Sequence, residues 1–469
     1  MEIRKRNGEM AAFDAEKIRA AMRLAFTATN VEITEQSLNS LLRAVLKRLE
    51  EVQQLTVENV QDQVEQQLMA EGYYETAKAY ILYREKRAKA RAMRERIAAR
   101  MEDPSLEGTL REIEADFDSA KYSLNLLAEQ YERLIREGMS IREQEKILVK
   151  AAVELTTMEA PRWEYLAARL QNHFFSRTVR EEMQKQNIQT FPEKLHDLAD
   201  EGLYGRYILE AYSEEELQMA GDMICPERDR LFTYAGLELL LKRYVIHTRD
   251  GKPMETPQEM FLGIALHLAM QEKRDRMEWV QRFYDMLSRM EVTMATPTMA
   301  NARKPFYQLS SCFVDVVPDS LDGIYRSIDS FAKASKFGGG MGLYFGKVRA
   351  SGSAIRGFPG AAGGVIRWIK LVNDTAVAVD QLGMRQGAVA VYLDVWHRDL
   401  PEFLQLRTNN GDDRQKAHDV FPAVCYPDLF WKLAEKNIDA KWYLMCPHEI
   451  QTVKGYALED FWGKEWERR

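Results

Sequence analysis

Apolar and polar positions fall into three successive regimes along this chain. Over roughly residues 1–95, Ile3-Arg-Lys-Arg-Asn-Gly-Glu-Met10 places short runs on either side of Asn7-Gly8. Both residues of that pair tolerate positive φ, so the segment predicts a β-hairpin. Asp14 is positioned to cap a helix beginning at Ala15, and Leu55-Thr56 opens another, with Val57, Val60 and Val64 at helical spacing. A last helix starts near Tyr73 and runs into the basic stretch Arg84–Arg96. Residues 96–290 read as nearly all helix. From about 291, β-rich runs alternate with helical stretches: Glu291–Thr298, Leu309–Val317, Gly342–Phe345, Gly387–Val395 and Val420–Tyr426. That alternation predicts five parallel strands in an α/β arrangement.

Two helices of the last regime carry narrow apolar stripes. One follows Asp319-Ser-Leu-Asp322, which is expected to cap it, and bears Leu321, Ile324, Ile328 and Phe331. The other bears Ile366, Ile369, Val372 and Ala376. Such a pair packs within one chain or joins two copies as a four-helix bundle.

Composition narrows the class. At 469 residues with 46% hydrophobic content the chain holds two or three domains with substantial cores. It has no uncharged apolar run of about 18 residues, so no membrane span is expected. Its start, Met1-Glu-Ile-Arg-Lys-Arg6, leads into a charged segment, which points to the cytoplasm. A net charge of −7 argues against a dedicated nucleic-acid binder. Cys225, Cys312, Cys425 and Cys446 are scattered, with no Cys-x-x-Cys or Cys/His zinc spacing; a redox or packing role fits them better than a disulfide scaffold. No metal site is expected in the chain.

The candidate chemistry centres on Ala295-Thr-Pro-Thr-Met-Ala300 and Gln308-Leu-Ser-Ser-Cys312, where a thiol sits beside hydroxyl side chains. Further on come Gly338-Gly-Gly-Met-Gly342, Val348-Arg-Ala-Ser-Gly-Ser353 with Ile355-Arg-Gly357, and Gln381-Leu-Gly-Met-Arg-Gln-Gly387. The glycines have neither Walker A spacing nor a dinucleotide-binding context. Taken in order, these motifs resemble the first half of the large (α) subunit of aerobic ribonucleotide reductases. At the N-terminus, Lys-Arg-Asn-Gly followed by Phe-Asp-x-x-Lys-Ile resembles an ATP-cone.

The resemblance implies an ATP-cone over residues 1–95, a mostly helical region over 96–290 with a degenerate second cone, and over 291–469 half of a ten-stranded α/β barrel. By the same resemblance Cys312 is one of two thiols that reduce the ribose C2′. Thr296 and Ser311 contact diphosphate and ribose, and Gly339 and Gly340 let backbone approach the sugar. Asp319, with Ser320 and Leu321, holds the ribose of a dNTP effector, and Arg349 and Arg356 clamp its phosphates. Gln381 and Arg385 belong to a loop that reports effector identity to the substrate base. Lys5, Arg6, Lys17, Thr56 and Arg87 face ATP or dATP, with Mg2+ accompanying the nucleotides. Ala11 departs from the acidic residue common in the cone.

The family's radical cysteine loop, second redox cysteine, radical-route tyrosines and C-terminal cysteine pair lie beyond Arg469. Cys425 and Cys446 do not match them and are assigned to packing. The expected partners are therefore a second polypeptide completing the barrel, a metal-containing radical β subunit, a thioredoxin- or glutaredoxin-type reductant and a second copy of the α unit. The alternatives are a non-catalytic sensor of ATP and dNTPs, and half of an adenosylcobalamin-dependent reductase.

Overall fold

In a computed structural model of the chain, residues 2–4, 10–50, 54–118, 121–381 and 386–469 are described, the side chains of Lys86 and Arg87 apart. The N-terminal strands β1 (Glu2–Arg4) and β2 (Met10–Ala12) pair antiparallel, with Ile3 opposite Ala11. The Asn7-Gly8 turn expected between them lies outside the described residues. Helix α1 (Ala15–Ala28) begins where the Asp14 carboxylate accepts the Glu16 N–H at 3.0 Å. After α2 (Glu35–Leu49), Thr56 caps α3 (Val57–Ala70) through a reciprocal box with Asn59. The long α4 spans Tyr74–Arg100, so the boundary anticipated near residue 95 falls inside a helix.

The buried faces of these helices meet in one core that includes Met22, Phe26, Leu38, Val45, Val64 and Leu68. Each such side chain contributes about 1.5–3 kcal/mol relative to exposure. The strand β1 is held against the start of α3, where the Arg4 N–H donates to the Leu55 carbonyl at 2.9 Å. Beyond α4 lie helices Leu106–Asp116, Leu124–Leu134 and Ile141–Glu154, the last opened by a capping box between Ser140 and Glu143. The chain divides into two compact units, 1–173 and 174–469, within the helix Trp163–Lys185.

The second unit contains helices to about residue 301 and then a parallel sheet. Its strands are β3 (Cys312–Val316), β4 (Gly340–Tyr344), β5 (Val389–Asp394) and β6 (Val420–Cys425), in that spatial order. Four strands are thus described where five runs predicted them. The run Glu291–Thr298 is the exception: Ala295 is extended, and Thr296–Asn301 is a short helix with Pro297 in its first turn. Proline's fixed φ suits that position, and its missing N–H costs nothing there.

One face of the sheet packs on helices Leu321–Lys336 and Gly364–Ala378 through Met341, Leu343, Val389, Val391, Ile324, Phe331, Ile369 and Val372, all buried. The pleat sends alternate residues to the other face. That face carries Cys312, Val314, Gly340, Gly342, Ala390, Tyr392 and Phe421, with Val314 at 88% exposure.

Candidate active site and effector site

Four separated motifs converge at the N-terminal ends of β3 and β4. The short helix Thr296–Asn301 packs on the segment leading into β3. There the Asn301 side-chain amide donates to the Gln308 carbonyl at 2.8 Å and the Thr298 hydroxyl to the Leu309 carbonyl at 3.4 Å. The Thr296 hydroxyl lies 3.3 Å from the Tyr244 hydroxyl. Cys312 opens β3, rather than closing it, and its thiol is exposed. The Ser311 hydroxyl is 3.5 Å from the Cys312 sulfur.

Register then brings in the glycines. Cys312 pairs with Gly340, and the Gly340 N–H donates to the Ser311 carbonyl at 2.7 Å. A methyl group on Gly339 would sit 2.7 Å from the Phe313 ring and 3.2 Å from the Ala334 carbonyl oxygen, so this position is glycine for packing. A methyl group on Gly340 would meet the Ala388 carbonyl at 3.4 Å and the Ser311 carbonyl at 3.7 Å, contacts near the ordinary range, in the row that Cys312 shares. Gln381, buried, donates its amide to the Gly339 carbonyl at 3.2 Å. Its partner in the same loop, Arg385, lies outside the described residues. The result is an exposed thiol beside a hydroxyl and bare backbone at the N-terminal edge of the sheet.

A second site forms at the opposite ends of the strands. Ser320 caps the helix Leu321–Lys336, its hydroxyl accepting the Gly323 N–H at 3.2 Å. Leu321 is exposed on the first turn. Asp319, released from capping, holds Arg349: its carboxylate accepts from the Arg349 backbone N–H at 3.1 Å and from Nε at 2.8 Å. Arg349 also donates to the Ala354 carbonyl at 2.7 Å, which orders its loop. Arg356 and Gly357 have φ of 51° and 82° between residues that exchange hydrogen bonds, Ile355 and Phe358. Positive φ at both central positions makes a tight turn that presents the Arg356 side chain. Asp319 and Arg349 thus hold each other, and Arg356 follows two residues after Ala354, to which Arg349 donates.

Three family models match along most of the chain. Residues 1–89 match the ATP cone domain, 230–307 the ribonucleotide reductase all-alpha domain, and 310–469 the ribonucleotide reductase barrel domain. The chain belongs to the ribonucleotide reductase large-subunit family. It is 58% identical over 476 residues to a ribonucleoside-diphosphate reductase subunit alpha of Treponema pallidum, covering all of this chain and 56% of that protein. Against the same-named subunit of Synechocystis it is 42% identical over 339 residues, 71% of this chain and 42% of that protein. Against that of Chlamydia trachomatis it is 34% identical over 512 residues, with coverage of 100% and 47%. The chain therefore spans about half the length of the curated relatives it matches.

Within the reductase cone, Lys5 and Arg6 lie outside the described residues. Arg87 is on α4. Lys17 is largely exposed, 4.0 Å from Asp14. The Thr56 hydroxyl is committed to the cap of α3, hydrogen-bonded to Asn59, and Thr56 bridges to Arg4.

The groups that hold the 348–365 segment in place carry no motif in the sequence analysis. Asp399, buried, accepts the Ser351 N–H at 2.9 Å and the Val365 N–H at 2.9 Å. Its backbone N–H donates to His397 Nδ1, so His397 Nε2 carries the proton it donates to the Val348 carbonyl at 2.9 Å. Burial holds the His397 pKa below its ordinary value. Cys446, assigned to packing, is buried with its sulfur 3.0 Å from the Ser353 hydroxyl. The only signal was Trp396-His-Arg-Asp399, legible as a strand end but not as an anchor. Further along the inner face, burial pushes the Asp394 carboxyl up to about 6, against the lowering effect of the Tyr344 hydroxyl that donates to it at 2.5 Å. Burial, then Asp394, raises the neighbouring Cys425 thiol.

No helix among the described residues is long and apolar enough to cross a membrane.

Proposed function

We propose that this chain supplies the effector sites and the first redox thiol of a ribonucleoside-diphosphate reductase α subunit. The observation that carries the reading is the exposed Cys312 thiol at the lip of the sheet, next to Ser311 and across from Gly340. Reducing a ribose C2′ replaces C–OH by C–H. Two thiols lose two electrons and two protons to form a disulfide, and the hydroxyl leaves as water. Cys312 is one thiol of that pair; the other, with the radical-bearing cysteine that activates the 3′ position, comes from barrel sequence outside these 469 residues. That sequence belongs to the same polypeptide or to a second one. Ser311 and Thr296 offer hydroxyls to diphosphate and ribose, and Gly340 admits the sugar, with Gly339 packed behind it against Phe313.

Regulation follows from the remaining sites. A dNTP with Mg2+ at Asp319, Arg349 and Arg356 would draw Arg349 from Asp319 to its phosphates and leave the carboxylate for the ribose. The loop containing Gln381 and Arg385 passes that state to the substrate. ATP or dATP binds the cone through Lys5, Arg6, Lys17, Thr56 and Arg87. Leu321 and Tyr325 leave an apolar helix face exposed for a second α unit. A separate metal-containing β subunit supplies the radical, a thioredoxin- or glutaredoxin-type protein restores the thiols, and the assembly works in the cytoplasm.

Reconstitution tests the reading. The chain is combined with the rest of the barrel, β subunit, dithiol reductant and a dNTP effector, and deoxynucleoside diphosphate is measured. Effector-dependent product supports the reductase; nucleotide binding with no product under any effector supports a sensor instead.

A further inference from the structure

A cleft of about 490 Å³ opens at the N-terminal ends of β5 and β6, and none of the assigned residues explains it. Its walls include Ala376 and Val377 at the end of the helix Gly364–Ala378, together with Arg243, Gln386, Arg407 and Asp419; Ala388 and Phe421 line it from the sheet. Register ties it to the thiol. Ala388 and Asp419 immediately precede the paired residues Val389 and Val420, and Met341 donates to the Ala388 carbonyl at 3.2 Å. Cys312, Gly340, Ala388 and Asp419 therefore form one row across four strands. At ~4.8 Å per strand, Asp419 is about 10 Å from Gly340, a span comparable with a ribose and its attached base.

The lining suits a base. Arg407 is exposed, has no carboxylate partner among the described residues, and places its guanidinium carbon 5.7 Å from the centre of the Phe421 ring. A planar guanidinium next to an aromatic face offers stacking surface and a fork of N–H donors at once. The Asp419 backbone N–H is fixed by the Asn373 side-chain oxygen at 2.8 Å, which aims that strand end at the cleft. Its carboxylate adds an acceptor for exocyclic amines.

We infer that Arg407, held against Phe421, is a specificity-determining residue that reads the substrate's nucleobase, with Asp419 as the complementary acceptor. This rests on the reductase reading, since it takes the ribose to lie over Cys312 and Gly340. A sugar so placed directs its base along the row toward β6, while Gln386 and Ala388 bring the effector-responsive loop to the same cleft. Guanine, whose O6 and N7 accept side by side, gains most from the Arg407 fork.

The test is a competition among the four ribonucleoside diphosphates in the reconstituted enzyme at one fixed effector, where product ratios report kcat/KM ratios. Arg407→Gln should lower GDP reduction relative to UDP by about fivefold, the discrimination of one net hydrogen bond. Phe421→Leu, which keeps the charge and removes the platform, should shift the ratio the same way. Unchanged ratios, or an equal fall for all four substrates as loss of a phosphate contact would give, overturn this inference and leave the reductase reading standing. A parent enzyme that makes no deoxynucleotide overturns both.

Discussion

Gly339 and Gly340 are adjacent yet differ in what a methyl group would do. At 339 it would press on the Phe313 ring and the Ala334 carbonyl, so Gly339→Ala should cost about 1–3 kcal/mol of stability, seen as a lower denaturant midpoint. At 340 there is room, so Gly340→Ala should fold like the parent. In the reconstituted enzyme it should raise KM about tenfold, about 1.4 kcal/mol of binding, by crowding the sugar. The reverse pattern would remove the argument that these two glycines do different work. Asp394 offers a titration with a definite sign. Its folded pKa of about 6 exceeds the ordinary 3.8, so the folded protein holds the extra proton between those values and loses stability as pH rises through them. Asp394→Asn removes that penalty. The variant should be more stable than the parent at pH 7, by at most about 3 kcal/mol for a shift of about two units, and should show no such gain below about pH 4. A gain independent of pH would contradict the buried-carboxyl account.

Elements were legible where a local rule sufficed. Asp14 and Thr56 as caps, the valine stripe of α3 and the helix emerging from Tyr73 need only near neighbours. The run at Thr296 was misread because Val and Thr are common in strands; Pro297 in a first turn decided otherwise. The convergence of Ser311 with Gly340, and of Asp319 with Arg349, was legible only as motif order, since register and ion pairing are tertiary facts. The same applies to the bond between elements made by Arg303. Fully buried, it donates to Glu255 at 2.7 and 2.6 Å and to the carbonyls of Met299 and Tyr244, joining the short helix Thr296–Asn301 to the helical region before it. Arg303→Met leaves a buried carboxylate without its partner and should destabilise the protein by about 3–5 kcal/mol in urea unfolding. Adding Glu255→Leu should recover much of that loss; no recovery would mean that the helix packing, not the charge pair, depends on Arg303.

At the scale of the whole molecule, a cone, a helical region and a four-stranded parallel sheet bring candidate nucleotide-binding residues and one candidate redox thiol into a single chain. The inner face of the sheet, with Val314 and Phe421 exposed, is an apolar surface suited to the rest of a barrel. Chemistry, on this account, begins only when that surface is covered and a second thiol and a radical arrive beside Cys312. Multiple-turnover reduction by the fully assembled enzyme carrying Cys312→Ser is the most direct measurement. Sustained deoxynucleotide formation should be lost with effector binding intact; turnover at the parent rate would show that Cys312 donates no electrons.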